Sequence, residues 1–307
     1  MILVVGATGV LGREVIPQLL ARGHRVRVLT RRPWRADAVQ HPNLEPAQGD
    51  LIDRASIVRA SEGIDSILAS AHALMGTGRH SSRAVDYLGH RTLIDVAKVC
   101  GVKRFVYVSA RGATLEHPVD FFRTKARVEN HLKESGLQFS ILRPSAFMES
   151  HVHQLLGKPL LERGTAKIYG TGRNSINFVA ARDVAAFAVM ALNAQTASNE
   201  TIEIGGPGNL SKLEIAETYL RLSGRPGKVQ CVPTALMRLM CPLVRPFNPV
   251  LGRLLAMSIW NDTTDQTFDP KALSRNYQIK FTRLEDFIRE QIDMTCSVPP
   301  MCGSSFL

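Results

Sequence analysis

The stretch Met1-Ile2-Leu3-Val4-Val5-Gly6-Ala7-Thr8-Gly9-Val10-Leu11-Gly12 decides the fold. Its first five residues form an apolar run of the kind expected of a strand buried on both faces. Over 10–22, Leu11, Val15, Ile16, Leu19 and Leu20 recur at helical spacing, Pro17 is a kink site, and Gly23 is a stop. The glycines between strand and helix read G-x-x-G-x-x-G. In such a turn the first glycine permits the tight bend and the second lets backbone approach a pyrophosphate. The third lets the helix pack close to the strand. Free N–H groups and the dipole at a helix N-terminus favour an anion there. In this strand–turn–helix context the motif points to a bound dinucleotide, with Gly6, Thr8, Gly9, Val10, Leu11 and Gly12 as contact residues.

The alternation continues outward. Strands are expected over 25–30, 44–49, 65–70, 104–109 and 138–142, and helices over 54–61, 82–100 and 121–135. Strands joined by helical crossovers make an α/β fold, a doubly wound parallel sheet of the Rossmann kind. Such a sheet binds its ligand beyond the carboxyl ends of the strands. Gly6, Arg31, Asp50, Ser70, Ser109 and Pro144 are thereby expected around one crevice, with Leu51, Ala69 and Phe147 beside them. Past Pro144 the pattern loosens, with strands expected over 177–179 and 201–204. Ser211-x-x-Glu214 reads as a capping box. The expected division is a dinucleotide-binding domain over 1–150, a smaller C-terminal substrate region over 151–293 interleaved with the last sheet strands, and a loose tail over 294–307.

The end of the second strand discriminates between cofactors. An NAD-binding chain places Asp or Glu there, to hold the ribose 2′-hydroxyl. This chain has Thr30-Arg31-Arg32 instead. Arg31 and Arg32 offer a bidentate clamp for a 2′-phosphate. Charged hydrogen bonds contribute about 1.5–3 kcal/mol each, a preference of roughly 10- to 100-fold. The expectation is NADP(H) over NAD(H), against the alternative that both arginines are solvated. Asp50 either accepts from an adenine amino group or caps the helix that starts near Asp53.

Composition sets outer bounds. The 307 residues are 45% hydrophobic and 21% charged, which excludes disordered, collagen-like and coiled-coil classes. No apolar run reaches the ~18 residues of a membrane span, and no basic region precedes the glycine motif, so a cytoplasmic protein is expected. Thirty-eight Lys and Arg against 27 Asp and Glu give +11, a balance that favours anionic partners. The basic residues are scattered, however, and no nucleic-acid partner is expected. The five cysteines include no C-x-x-C pair and no histidine at ligand spacing, and read as reduced thiols. His151-Val152-His153 has only Glu149 as a nearby carboxylate, so no metal site is expected. The Leu- and Met-rich stretch 236–257, interleaved with Arg238, Arg245 and Arg253, is open to three readings: a core or lid helix, an apolar wall for a hydrophobic substrate, or a contact with a membrane surface.

The glycine motif, Arg31, Asp50-Leu51 and Phe105-Val106-Tyr107-Val108-Ser109 followed by Lys125 resemble the short-chain dehydrogenase/reductase superfamily, in its atypical NmrA-like branch. Ile141-Leu142-Arg143-Pro144-Ser145-Ala146-Phe147-Met148-Glu149 and Arg182-Asp183-Val184-Ala185 carry the same resemblance. It implies a catalytic set of Ser followed by Tyr-x-x-x-Lys, whose i, i+4 spacing aligns tyrosine and lysine on one helix face. Ser109 and Lys125 match that set, but the tyrosine position is Phe121, and phenylalanine transfers no proton. Three routes stay open: Lys125 acting as the acid with a lowered pKa, His117 donating from a loop where a solvated imidazole is the plainer reading, or an acceptor such as a quinone that takes protons from solvent. Glu129 is expected to pair with Lys125, and Phe147 and Met148 to face the nicotinamide. The resemblance implies an NADPH-dependent reductase of a small apolar, quinone- or enone-like substrate. Its alternative is a non-enzymatic NADP(H)-binding redox sensor or assembly factor.

Overall fold

Strand β1 (Ile2–Val5) shows why the chain builds a two-faced layer. Ile2 and Val4 enter one apolar core while Leu3 and Val5 enter another, and all four are buried. A strand buried alternately on both sides must lie inside a sheet covered by helices on each face. The computed structural model describes residues 1–32, 40–193, 199–277 and 279–296. It runs β1, α1 (Val10–Ala21), β2 (Val26–Thr30), β3 (Leu44–Gln48), α2 (Arg54–Ser61) and β4 (Ser66–Ala69). Then follow α3 (His90–Val99), β5 (Arg104–Val108), α4 (Asp120–Glu134), β6 (Gln138–Pro144), β7 (Ala146–Phe147), α5 (Lys158–Arg163) and β8 (Thr165–Tyr169). The remaining elements are β9 (Ser175–Val179), α6 (Ala181–Leu192), β10 (Glu200–Ile204), β11 (Asn209–Ser211), α7 (Lys212–Ser223) and β12 (Lys228–Val232), then α8 (Thr234–Val244), α9 (Pro249–Thr263), α10 (Lys271–Asn276) and α11 (Leu284–Cys296).

The main sheet has the order β10-β6-β5-β4-β1-β2-β3, and every pairing in it is parallel. Helices α1 and α6 pack together on one face, through residues such as Leu19, Val184 and Phe187, and α2, α3 and α4 cover the other through Ile57, Leu93 and Leu132. The chain order reverses between β1 and β4, so a crevice opens at their carboxyl ends. A third core, including Met148, Phe178, Tyr219 and Ile288, lies under a small sheet of β11, β9 and β7. β10 leaves this region and returns to the main sheet beside β6.

Several expectations change in detail. The helix read over 82–100 starts as a π-helical segment, Arg83–Gly89, before α3. The wider turn points buried Asp86 inward, where it accepts from Ser82 Oγ and the Ala73 amide, each at 2.6 Å. A second π-helical segment, Met148–Gly157, carries His151 and His153. The tail expected from 294 begins inside α11, which buries Phe287 and Ile288; residues 297–307, Cys302 among them, lie outside the described residues. Cys100, Cys231 and Cys241 are free thiols. In the apolar stretch, α8 buries Met237 but turns Leu239, Leu243 and, just beyond its end, the 90% exposed Phe247 outward. Among the described residues no helix is long and apolar enough to cross a membrane.

Close packing of α1 on β1 rests on Gly12, where a Cβ would fall 2.5 Å from the Ala7 carbonyl oxygen. Gly12→Ala should therefore lower stability in urea unfolding by about 1–3 kcal/mol, the cost of overpacking. An unchanged midpoint would contradict this packing.

Candidate functional site

The crevice is a cleft of about 260 Å3, and the glycine turn forms part of its lining. Gly6 has φ +100°, and a Cβ there would fall 2.7 Å from both Ala71 N and Ser70 Oγ. Only glycine fits both demands. The Gly9 amide closes the turn on the Gly6 carbonyl at 3.0 Å. No side chain caps α1 and no acid sits in its first turn. The amides of Val10, Leu11 and Gly12 thus have no acceptor within the helix, in a cradle that a side chain would fill. Those features fit a pyrophosphate. Gly6, Gly9, Val10, Leu11 and Ser70 line the cleft. Gly12 is buried behind them, and Thr8 faces solvent with its carbonyl held by Arg13 Nε at 3.2 Å.

Beyond the glycines, the adenosine-side candidates separate. Arg31 and Arg32 are exposed at the end of β2, and among the described residues no carboxylate hydrogen-bonds to them. Asp50 does not cap α2: Asp53 does, accepting from the Ala55 amide at 3.1 Å. Asp50 accepts instead from His80 Nε2 at 2.7 Å and from the Ile52 amide at 3.3 Å. Burial raises its pKa, but the His80 contact, the Ile52 amide and the Arg31 charge together outweigh that and lower it. Leu51 and Ala69 are buried in the core on the α2–α4 side and do not line the cleft; a side chain at the end of β4 alternates inward there, and Ser70 takes the crevice position.

Lys125 is the centre of the site. Helix α4 sets it four residues after Phe121, and its Nζ donates to the Val108 carbonyl at 2.8 Å. The ammonium lies 4.9 Å from the Tyr107 ring centroid and 5.9 Å from that of Phe121. Burial lowers its pKa to about 8, against the pull of Asp86 and Glu129. Glu129 makes no hydrogen bond to Lys125, contrary to expectation. It accepts from Ser109 Oγ and from Arg143, at 3.0 Å from Nε and 2.6 Å from Nη2. The stronger charge partner wins, because Arg143 offers two donors in a fork. Ser109 lines the cleft with its proton already given to Glu129, so its oxygen can accept from a ligand but has no proton left to donate. Tyr107 does not replace the missing tyrosine. It is fully buried, burial raises its pKa, and it packs edge-on against His90 at 5.4 Å.

Apolar side chains make the rest of the wall, chiefly Phe121, Phe122, Phe147, Met257 and Trp260, with Pro144 at the end of β6. Met148 is buried in the third core instead of facing the cleft. His117 is not solvated: it is 7% exposed, clustered with Phe122 at 4.2 Å and Trp260 at 4.5 Å, and its Nδ1 accepts from the Val119 amide. It supports the aromatic wall without lining the cleft. His151 and His153 are taken up by the Phe147 carbonyl and the Tyr219 hydroxyl. Among the cleft residues that the sequence reading missed are His72, Trp260 and Lys212. The capping box located the start of α7, but nothing local says that its first residue faces the cleft beside the glycine turn.

A family model described as NAD(P)H-binding matches residues 6–195, more than half of the chain. The chain is 31% identical to the photosystem II assembly factor Ycf39 of Cyanophora paradoxa over 78% of this chain and 73% of that protein. It is 29% identical to the NAD(P)H azoreductase of Xenophilus azovorans, over 74% of this chain and 75% of that one. The NADPH-dependent quinone oxidoreductase QOR2 of Escherichia coli, solved with NADPH, has a similar fold: TM-score 0.76, 22% identity, covering 97% of this chain and 100% of that one. Family model and fold agree with the resemblance drawn from the glycine motif, Ser109 and Lys125.

The burial of Lys125 has a pH signature. Between its folded value of about 8 and its ordinary 10.5, the unfolded chain binds a proton that the folded chain has released. Stability should therefore rise with pH through that window, and Lys125→Met should flatten the rise. Urea unfolding at pH 8 and pH 10 tests this; identical slopes in wild type and variant would contradict it.

Proposed function

We propose that this chain, which belongs to the NAD(P)H-binding family, is an NADPH-dependent reductase of an apolar acceptor such as a quinone, working without a tyrosine acid. The observation that carries this reading is a buried lysine in a cleft that Phe121, Phe122, Phe147, Phe178 and Trp260 also line, with phenylalanine where a proton-donating tyrosine would stand. In this proposal the amides of Val10, Leu11 and Gly12 hold the pyrophosphate at the positive end of α1. Arg31, with Arg32, holds the 2′-phosphate, and Asp50 borders the adenosine with its charge set by His80. Lys125 Nζ, kept in place by the Val108 carbonyl, donates to the nicotinamide ribose, and Ser109 Oγ accepts beside it. Pro144 and Phe147 cover the ring face and exclude water. Bound NADPH supplies the hydride. With Phe121 unable to give a proton, the reduced oxygen is protonated from solvent or by the Lys125 ammonium, whose pKa of about 8 lets it lose a proton and regain it from solvent near neutrality. The names of two similar proteins, a quinone oxidoreductase and an azoreductase, support an apolar, reducible acceptor.

A second reading is an NAD(P)H-binding assembly or regulatory factor. Phe121 favours it, as do the outward Leu239, Leu243 and Phe247, which offer a partner an apolar face. The Ycf39 proteins bear such a name.

Paired titrations with NADPH and NADH, followed by NADPH oxidation with 2-methyl-1,4-naphthoquinone, separate the two. The reductase binds NADPH tightly and oxidises it; binding without oxidation selects the assembly reading. Arg31→Glu should weaken NADPH by roughly 10- to 100-fold and leave NADH nearly unchanged. Equal losses would contradict the 2′-phosphate role.

A further inference from the structure

We propose that Lys212 forms an anion subsite on the wall of the cleft at the start of α7, so that the acceptor is an apolar ring carrying an acidic oxygen group, a carboxylate or an ionised hydroxyl. The inference deepens the reductase reading, and rests on it for the word acceptor.

Lys212 is the first residue of α7. The capping box fixes that start, with Ser211 Oγ accepting from the Glu214 amide at 3.3 Å and Glu214 Oε2 accepting from the Ser211 amide at 2.7 Å. A cation there stands at the positive end of the helix dipole, where charge of the opposite sign is favoured. Its side chain is half-buried, and it lines the cleft. Its ammonium makes no hydrogen bond or ion pair among the described residues. The carboxylate that acts on it from a distance, Asp262, is already engaged: it accepts from the Thr171 amide at 2.8 Å, from Thr171 Oγ1 at 2.9 Å and from Thr234 Oγ1.

The other cations of the cleft are satisfied. Lys125 donates to the Val108 carbonyl, and Arg111 donates to the carbonyls of Gln266 at 3.1 Å and Thr267 at 2.6 Å. His151 beside Lys212 is held neutral, its pKa lowered to about 4 by burial and by the Lys212 charge. No Asp or Glu lines the cleft among the described residues. A half-buried ammonium with a hostile dipole and no partner costs free energy in the empty protein. That cost is relieved by an anion entering from the cleft. The remaining wall, with Phe147, Phe178, Met257 and Trp260, takes the apolar body of the same molecule. Lys212 lies on the C-terminal side of the cleft, next to β11, whereas the dinucleotide's phosphates are assigned to α1 and Arg31.

Calorimetric titration of the NADP+-loaded protein with 2-naphthoate and with its neutral isostere 2-naphthamide tests the subsite without any turnover. Wild type should bind naphthoate at least about tenfold more tightly than naphthamide, as one charged hydrogen bond implies. Lys212→Met should abolish that difference while leaving naphthamide and NADPH affinities unchanged, and Lys212→Arg should restore it. Thermal unfolding of Lys212→Met should show a stability equal to or above wild type, since the variant removes an unpaired charge. Equal affinities in wild type overturn the proposal, as does a Lys212→Met variant that loses NADPH instead of naphthoate. A naphthoate preference in a protein that reduces no quinone upholds the subsite and sinks the reductase reading.

Discussion

The close approach of α1 to the end of β1 is the constraint from which the site follows. Glycine at 6 accepts the left-handed turn, and glycine at 12 lets the helix sit against the Ala7 backbone. Together they aim the open amide end of α1 at the point where the strand order reverses. The aliphatic alternation of β1 fixes the sheet on both sides of that point. A side chain at either glycine would move the helix end and with it the anion-binding end of the cleft.

Electrostatics then divide the cleft into regions with different duties. The floor holds a buried ammonium, Lys125, restrained by a carbonyl and two aromatic rings and steadied by Asp86 and Glu129 at longer range. Glu129 spends its hydrogen bonds on Ser109 and Arg143, which locks the serine proton away from the cleft. Phe121 removes the remaining donor expected in a tyrosine-based site. What is left is a positioning apparatus with apolar walls, suited to an acceptor that needs orientation and exclusion of water more than a built-in acid.

The main sheet was legible in the sequence because its strands and helices carry strong periodic signals and Gly6, Gly9 and Gly12 stand in a strand–helix context. Lys125, Ser109 and Phe121 were legible for the same reason: α4 and β5 are regular, and i, i+4 spacing determines which side chains share a face. The third core was less so. β8 and β12 are short and pair across more than sixty residues of chain, and β12 buries no residue fully. The π-helical segments Arg83–Gly89 and Met148–Gly157 have no periodic signature of their own, and they decide where Asp86 and His151 point. Glu129 and His117 were misjudged, and the capping alternative for Asp50 falls, because these residues took partners distant in sequence or from a neighbouring loop: Arg143, the Trp260 ring and His80. Pairwise spacing on one helix says nothing about such partners.

The proposed function requires the nicotinamide over Lys125, against Phe121 and Phe147, and the cofactor's pyrophosphate on the N-terminus of α1. A crystal structure of the protein with NADP+ decides this. The ribose hydroxyls should lie within hydrogen-bond distance of Lys125 Nζ, with phosphate oxygens on the amides of Val10 and Leu11. A nicotinamide lying outside this cleft, with Lys125 still bound only to the Val108 carbonyl, would contradict the proposal.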